Sequence, residues 1–388
     1  MGLKVSMDEP PKKPETGSNE ARDSDLNARF SNKLRMAFSS SIGKEPLLSV
    51  VIIARNEAAH IASAIESVLR ETRYFPSTEV VLVDSCSTDA TVDIATSHPI
   101  GVLRLLRSSF LSAAAGRYIG YLNTSGQFIL HLDGDMTLCP DWLGQAIPYL
   151  LSHPTVAGCS GYWENVYRRN GQIVHSEKMD FSPDRKIKKV NEFAGAALYR
   201  RSALQQVGGF NPYISSYEEP ELCARLRHAG FQLVCLPNQI CIHYGLPEHS
   251  LASYRRRWRN RLWVGCGQML RYHLGKDTFS QVARLQGGSY LISTMFGLLV
   301  SMSLLVLGFV SRSLWPILAG VGMITAFFVV LLYRKWSLPR ALLSLLLRAM
   351  ILLSGIEGFL MSPRDPATYP ANAEIVQSIP CTSLERKE

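Results

Sequence analysis

The chain has 388 residues, a net charge of +9 and 47% hydrophobic residues, with a mean hydropathy of +0.05. That length buries one sizeable domain and leaves room for a second module. The positive balance alone would suit nucleic acid, an anionic membrane or a phosphorylated substrate, but no zinc-finger or RNA-recognition pattern occurs, so no nucleic-acid partner is expected.

Residues 1–46 carry Pro10, Pro11, Pro14 and Gly17 among scattered charges and no sustained periodicity, which predicts a flexible tail with a short helix around Leu34 to Phe38. Their charged start lacks an apolar core, so no secretory signal is expected there. The eight cysteines form no CxxC pair and no metal-ligand spacing, as suits a reducing, cytosolic compartment.

From residue 47 the pattern becomes α/β. Leu47 to Ile53 is a short continuous apolar run, as in a strand buried on both faces. Ile61, Ile65, Val68 and Leu69 follow at helical spacing. Val80 to Val83, Val102 to Leu106 and Phe128 to Leu132 repeat the strand pattern, the last ending at Asp133. Between them, Thr88 to Ala95 and Ser109 to Leu122 read as helices. Strands alternating with helices predict a mostly parallel, doubly wound sheet over residues 47–250. Further on, Asn170-Gly171 is a hairpin signal, Ala194 to Tyr199 a strand, and Glu221 to His228 a helix stopped by Gly230.

Ligands in open parallel sheets bind at the carboxyl ends of the strands. Asn56 with Glu57, Asp84, Arg117 one element later, and Asp133 with Asp135 all fall at such ends. In Asp133-Gly134-Asp135 two carboxylates flank a flexible residue, so both can reach one hard cation and through it a substrate diphosphate. A plain Asx-type turn is the structural alternative. Asp84 could accept a hydrogen bond from a base N–H or a ribose hydroxyl, whereas Ser87, Thr88 and Asp89 are helix-capping types. No Gly-x-Gly-x-x-Gly follows the first strand, which argues against a nicotinamide or flavin site. In Glu218-Glu219-Pro220, Pro220 suits a first helical position with Glu219 as its N-cap. Glu219 could equally serve as a general base for an acceptor hydroxyl.

Four of these segments, Ser49 to Glu57, Val83 to Asp89, Arg117-Tyr118-Ile119-Gly120 and Leu132 to Asp135, resemble the motifs of glycosyltransferase family 2 in order and spacing, over about residues 47–250. The resemblance implies a Rossmann-like GT-A fold and inverting transfer of one sugar from a nucleoside-diphosphate sugar (expected as a UDP-sugar) with Mg2+ or Mn2+. It further implies that Asn56 and Glu57 line the nucleotide pocket and Asp84 contacts the base. Arg117 would lie near the nucleotide, and Asp133 and Asp135 would face ribose and metal. Glu219 stands where the family usually has an aspartate base, with Glu218 as the other candidate. His243 occupies a position where some relatives have a metal-facing histidine. Arg257-Trp258 resembles part of the Gln-x-x-Arg-Trp of processive synthases, but Tyr254 holds the Gln position.

The basic run Arg255 to Arg261 opens a juxtamembrane region, 251–288. Ser289 to Val310 and Ser313 to Tyr333 lack charge and at about 21 residues each are long enough to span a bilayer. Ala341 to Met361 is as apolar but contains Arg348 and Glu357, which predicts an interfacial helix or a third span. Residues 362–388 complete the chain as a tail. The whole reads as a multi-pass membrane protein with a cytoplasmic catalytic domain. It is expected to act on a membrane-associated acceptor, of which a polyprenyl-linked sugar is one form. A processive polysaccharide synthase and a non-catalytic nucleotide-binding scaffold are the alternatives.

Overall fold

The computed structural model describes residues 47–75, 77–169, 172–179, 184–245, 251–335 and 338–380. The short helix expected near Leu34 and the Asn170-Gly171 turn lie outside these. The first half alternates as the apolar runs dictate: β1 (Leu48–Ala54), α1 (Ile61–Thr72), β2 (Thr78–Asp84), α2 (Thr91–Thr96), β3 (Gly101–Arg104), α3 (Ala113–Leu122), β4 (Phe128–Asp133). β1 is buried along its whole length. Alternate residues Val51 and Ile53 share a cluster with Ala115 and Ile119 of α3, and the fully buried Val50 and Ile52 face the other layer. Ser112 caps α3 by accepting from Ala115 N.

Then come β5 (Met136–Leu138), α4 (Trp142–Ser152), β6 (Val156–Arg169), β7 (Gln172–Met179), β8 (Lys188–Lys189), β9 (Ala197–Arg200), α5 (Arg201–Val207), α6 (Glu218–His228) and β10 (Gln232–Tyr244). The principal strand order is β11-β3-β2-β1-β4-β9-β6-β10-β5. Parallel pairing holds for β3-β2-β1-β4, as expected, and for β6 with β10. The remaining pairs, such as β4 with β9 and β6 with β7, are antiparallel, so the sheet is mixed. The two-residue separation of β6 from β7 is too short for a parallel crossover.

Two element boundaries differ from expectation. Helix α2 starts at Thr91, because Asp89 accepts from Thr91 N (3.0 Å) and keeps Ser87 to Asp89 in the preceding loop. Helix α6 starts at Glu218 with Tyr217, at φ +66, as its N-cap, so Glu219 and Pro220 lie inside the first turn. Proline is tolerated there because early helical N–H groups have no intrahelical acceptor.

The carboxyl-terminal third comprises α7 (Leu251–Arg259), α8 (Val264–His273), α9 (Phe279–Ala283), α10 (Gln286–Ser311), α11 (Leu314–Lys335) and α12 (Leu338–Leu360). Helix α8 is fixed to α6 by a buried ion network. Glu221 receives Arg225 Nη2 at 2.7 Å and lies 2.8 Å from His273 Nε2. Burial alone would push the Glu221 carboxyl up, but Arg225 and the His273 hydrogen bond hold it down to about 2. A depressed native value stabilises the fold above the unfolded value near 4.5, and that contribution, about 3 kcal/mol, disappears as pH falls toward 2. Glu221→Gln should therefore be less stable than wild type at pH 7 by about that amount, with the gap closing on acidification. Urea midpoints measured from pH 7 to 2 check this.

Helix α12 docks on α8 through glycine: a side chain at Gly267 would strike the backbone of Gly355. Leu352 and Phe359 of α12 join Ile214, Ala224 and Met269 in one apolar cluster, and Glu357 pairs with Arg261. By length and hydropathy, Leu291–Ser311 (mean hydropathy 2.1) and Leu342–Leu360 (1.8) could cross a membrane. The runs expected to span were 289–310 and 313–333. Among the described residues the second is represented by the shorter apolar stretch Leu314–Thr325, while α12 qualifies despite Arg348 and Glu357. The two windows are only 17% and 18% buried within the protein, unlike core helices.

The tail expected at 362–388 instead returns, as far as it is described, to the catalytic domain. Tyr369 is buried in the core, its hydroxyl donating to Phe110 O at 2.9 Å. β11 (Glu374–Gln377) pairs antiparallel with β3, closing that sheet edge.

Candidate active site

The parallel register sets the site. Ala54 lies beside Asp84, and Ile53 beside Asp133, so three strand ends meet where β1 is flanked by β2 and β4, the switch point of the sheet. A cleft of about 790 Å3 opens there, lined by Arg55, Glu57, Ser85, Ser112, Asp133 and Asp135 on one side and by Arg259, Arg261, Gln268 and Met361 on the other.

Arg117 organises the acidic groups. Its guanidinium is 1% exposed and bonds Asp133 Oδ1 (2.8 Å), Glu218 Oε1 (2.6 Å) and Glu219 Oε1 (2.7 Å). Burial disfavours its charge, but Glu219, Asp133 and Glu218 outweigh this and hold the guanidinium firmly protonated. Burial raises the Glu218 and Asp133 carboxyls, against the pull of Arg117. Gly195 leaves the Asp133 carboxylate its room, since a Cβ there would strike Oδ2. Glu57 is pushed up to about 7 by burial and then by Asp135.

Asp135 meets His243, Oδ2 to Nε2 at 3.3 Å, and His243 Nδ1 lies 2.8 Å from Asn165 Oδ1. With Nδ1–H donating to Asn165, Nε2 turns a lone pair toward the carboxylate, and two such atoms call for a proton or cation between them. A carboxylate and an imidazole thus fit a divalent ion. Among the described residues no group of three or more His, Cys, Asp or Glu is arranged to hold a metal alone, so substrate oxygens and water would complete the coordination.

Two expected residues have other surroundings. Asn56, at φ +58, donates its N–H to Ser87 Oγ and accepts from Thr88 N, each at 2.8 Å, clipping the β1 and β2 loops together. Asp84 is fully buried, accepting from Ser87 N (3.1 Å) and Arg104 Nε (3.4 Å). The cleft wall itself is formed by their neighbours Arg55, Glu57 and Ser85. Sequence reasoning missed Asn165, Gln268 and Met361. A polar residue at a buried position of β6 is the only local signal for Asn165; Gln268 lies on α8 and Met361 just after α12, helices whose docking no motif announces.

A mixed sheet with a cleft of both charges at its switch point, beside an Asp-Gly-Asp turn, has the form of a GT-A glycosyltransferase fold. Residues 49–208 match the model of "Glycosyl transferase family 2". The chain is 26% identical over 246 residues to the glycosyltransferase AglE of Haloferax volcanii, covering 62% of this chain and 79% of that one. To the succinoglycan biosynthesis protein ExoA of Rhizobium meliloti it is 24% identical over 206 residues, covering 50% and 62%. Its fold is similar to that of the mannosyltransferase PcManGT of Pyrobaculum calidifontis, solved in complex with GDP-Man and Mn2+, with TM-score 0.52, 18% identity and coverage of 88% and 96%. These similarities support glycosyltransferase activity.

Proposed function

We propose that the protein transfers one sugar, with inversion, from a UDP-sugar to a membrane-associated acceptor at the cytoplasmic face. The observation that carries this is the Arg117 junction, which holds Asp133 of the Asp-Gly-Asp turn beside Glu218 and Glu219. Donor-side carboxylate and candidate base thereby share one fixed charge. Glu219, the more exposed of the pair, takes the proton of an acceptor hydroxyl while that oxygen bonds the anomeric carbon. The bond from this carbon to the diphosphate breaks, the nucleoside diphosphate leaves, and a single displacement inverts the centre. Glu218, 6% exposed, keeps Arg117 in place. Glu57, Asp133 and Ser85 line the donor side, with Asn56 and Asp84 shaping the loops behind it. Asp135 and His243 would hold Mg2+ or Mn2+, which when bound neutralises charge on the diphosphate.

Purified full-length protein should be stabilised by one nucleotide-sugar of a panel and hydrolyse it slowly only with Mg2+ or Mn2+, and Asp135→Ala should abolish this while folding normally. Stabilisation by no donor would refute the function; full turnover in excess EDTA would refute the metal.

Membrane placement rests on a parity argument. β3 and β11 are neighbours in one sheet, so the helices joining them cross a bilayer an even number of times. Helix α12 is held to the domain by Leu352, Phe359 and Glu357, whereas α10 joins the same cluster only near its start, through Leu291. Its exposed Leu346, Leu353 and Leu360, seven residues apart, form one face suited to the lipid interface. Helices α10 and α11 then form the spanning hairpin. Arg271 and Arg284 precede it, Arg312 alone lies in its turn, and Arg334, Lys335 and Arg340 follow, which puts both flanks in the cytoplasm. In a background lacking native cysteines, Ser311→Cys should react with an impermeant thiol reagent outside sealed cells, and Ser97→Cys only after lysis. The reverse pattern would overturn the topology.

A further inference from the structure

Beside the cleft lies a second cavity of about 310 Å3, near the lower end of the roughly 300–1,000 Å3 typical of small-molecule sites. Phe110, Gln268 and Met361 line both spaces and form the partition between them. Tyr213, Tyr272 and Arg364 complete the argument for what the second one holds. We propose that it seats the head of the acceptor, a sugar ring esterified to phosphate on a lipid chain; this rests on the glycosyltransferase function above and specifies its acceptor.

Three features carry the assignment. Aromatic rings pack against the C–H faces of a pyranose without demanding one hydroxyl pattern, and Phe110, Tyr213 and Tyr272 line the cavity, with Lys276 Nζ 3.4 Å from the Tyr272 ring centroid as a cation over one face of that ring. Arg364 is exposed, with its guanidinium carbon 5.3 Å above the Tyr213 ring, which orients the planar fork and leaves its N–H edge for a phosphate. The neighbouring Asp365 has its Oδ1 accepting from Ala367 N at 3.0 Å, in a cap of its own.

Position supplies the third feature. The wall running from Tyr213 and Ile214 in this cavity continues through Ser215 in the cleft to Glu218 and Glu219 at the start of α6. Gln268 braces that wall, its Oε1 accepting from both Ser215 N and Ser215 Oγ at 2.9 Å. At the other end, Met361 directly follows α12, whose exposed leucines face the lipid interface. A lipid-borne head entering beside the end of α12 would meet Arg364 and the tyrosines first and the base next.

The test is binding without donor, on full-length protein in detergent, using decyl glucosyl phosphate as the probe, with decyl glucoside and decyl phosphate as its two halves. The phosphodiester should bind more tightly than either half. Arg364→Gln should weaken it at least about tenfold, with Arg364→Lys intermediate. Tyr272→Leu should weaken the phosphodiester and the glucoside but spare decyl phosphate. Melting temperatures of the variants guard against misfolding. No measurable binding to wild type, or equal binding to wild type and all variants, overturns the proposal. Because no nucleotide-sugar is present, failure here leaves the donor and metal results above standing, and failure there leaves this measurement readable.

Discussion

Glu219→Gln is expected to lower kcat by at least about 10²-fold while leaving donor affinity nearly unchanged. The substitution keeps the side chain's length and one oxygen for Arg117 but removes the proton acceptor. Glu219 is 14% exposed at the start of α6, against 6% for Glu218, so an acceptor hydroxyl can approach it more readily. Glu218→Gln should act differently. That carboxylate is buried, so its loss should show mainly as lowered stability, with a smaller fall in kcat. Steady-state kinetics on both variants, with donor binding measured separately, decide the assignment. A large kcat loss in Glu218→Gln with near-normal turnover in Glu219→Gln would reverse the two roles.

Arg117→Met should cost about 3–5 kcal/mol of stability, because it strands buried carboxylates that one guanidinium now holds together. Glu218 and Asp133 are already raised by burial, with Arg117 opposing the rise. Without Arg117 they should rise further. A carboxyl whose native value lies above its unfolded one binds protons preferentially in the folded state, so stability is greatest below the unfolded value and falls as pH rises through the native one. The deficit of Arg117→Met should accordingly be largest at neutral and alkaline pH and shrink on acidification. Denaturant midpoints for wild type and variant between pH 4.5 and 8.5 measure this; a deficit that grows on acidification would contradict the clamp.

The sequence carried the donor half of the site further than the rest. β1, β2 and β4 announce themselves by apolar runs, and parallel pairing then fixes Ala54, Asp84 and Asp133 at adjacent strand ends without further information. His243 was legible as a strand-end residue at a position where some relatives have a metal-facing histidine; its meeting with Asp135 depends on β10 pairing with β5. The role of Arg117 was harder to see. Its partners Asp133, Glu218 and Glu219 are distant in sequence, and nothing in a basic residue on a helix says that it will be buried among three carboxylates. The far side of the cleft was hidden for another reason. Arg259 and Arg261 read as part of a juxtamembrane basic run, and their place beside the cleft follows from the contacts of α8 with α6 and α12, made by unremarked residues such as Gly267 and His273. The return of residues 366–379 left no periodic signal, since a four-residue edge strand is too short to show one.

That short strand bears on how the protein is made. Arg104 of β3 and its partner Glu374 of β11 are separated by 270 residues, and the helices of the carboxyl-terminal third are synthesised between them. Until the last segment leaves the ribosome, β3 presents an open row of peptide groups, the kind of edge on which nascent sheets associate wrongly. The sheet can therefore be completed only after the apolar helices have been made. A truncated form ending before α10, the obvious route to a water-soluble enzyme, would carry that open edge permanently and should aggregate. Splicing residues 363–380 back onto such a form through a flexible linker would restore the edge strand, while the face of α8 that α12 covers would still need polar substitution.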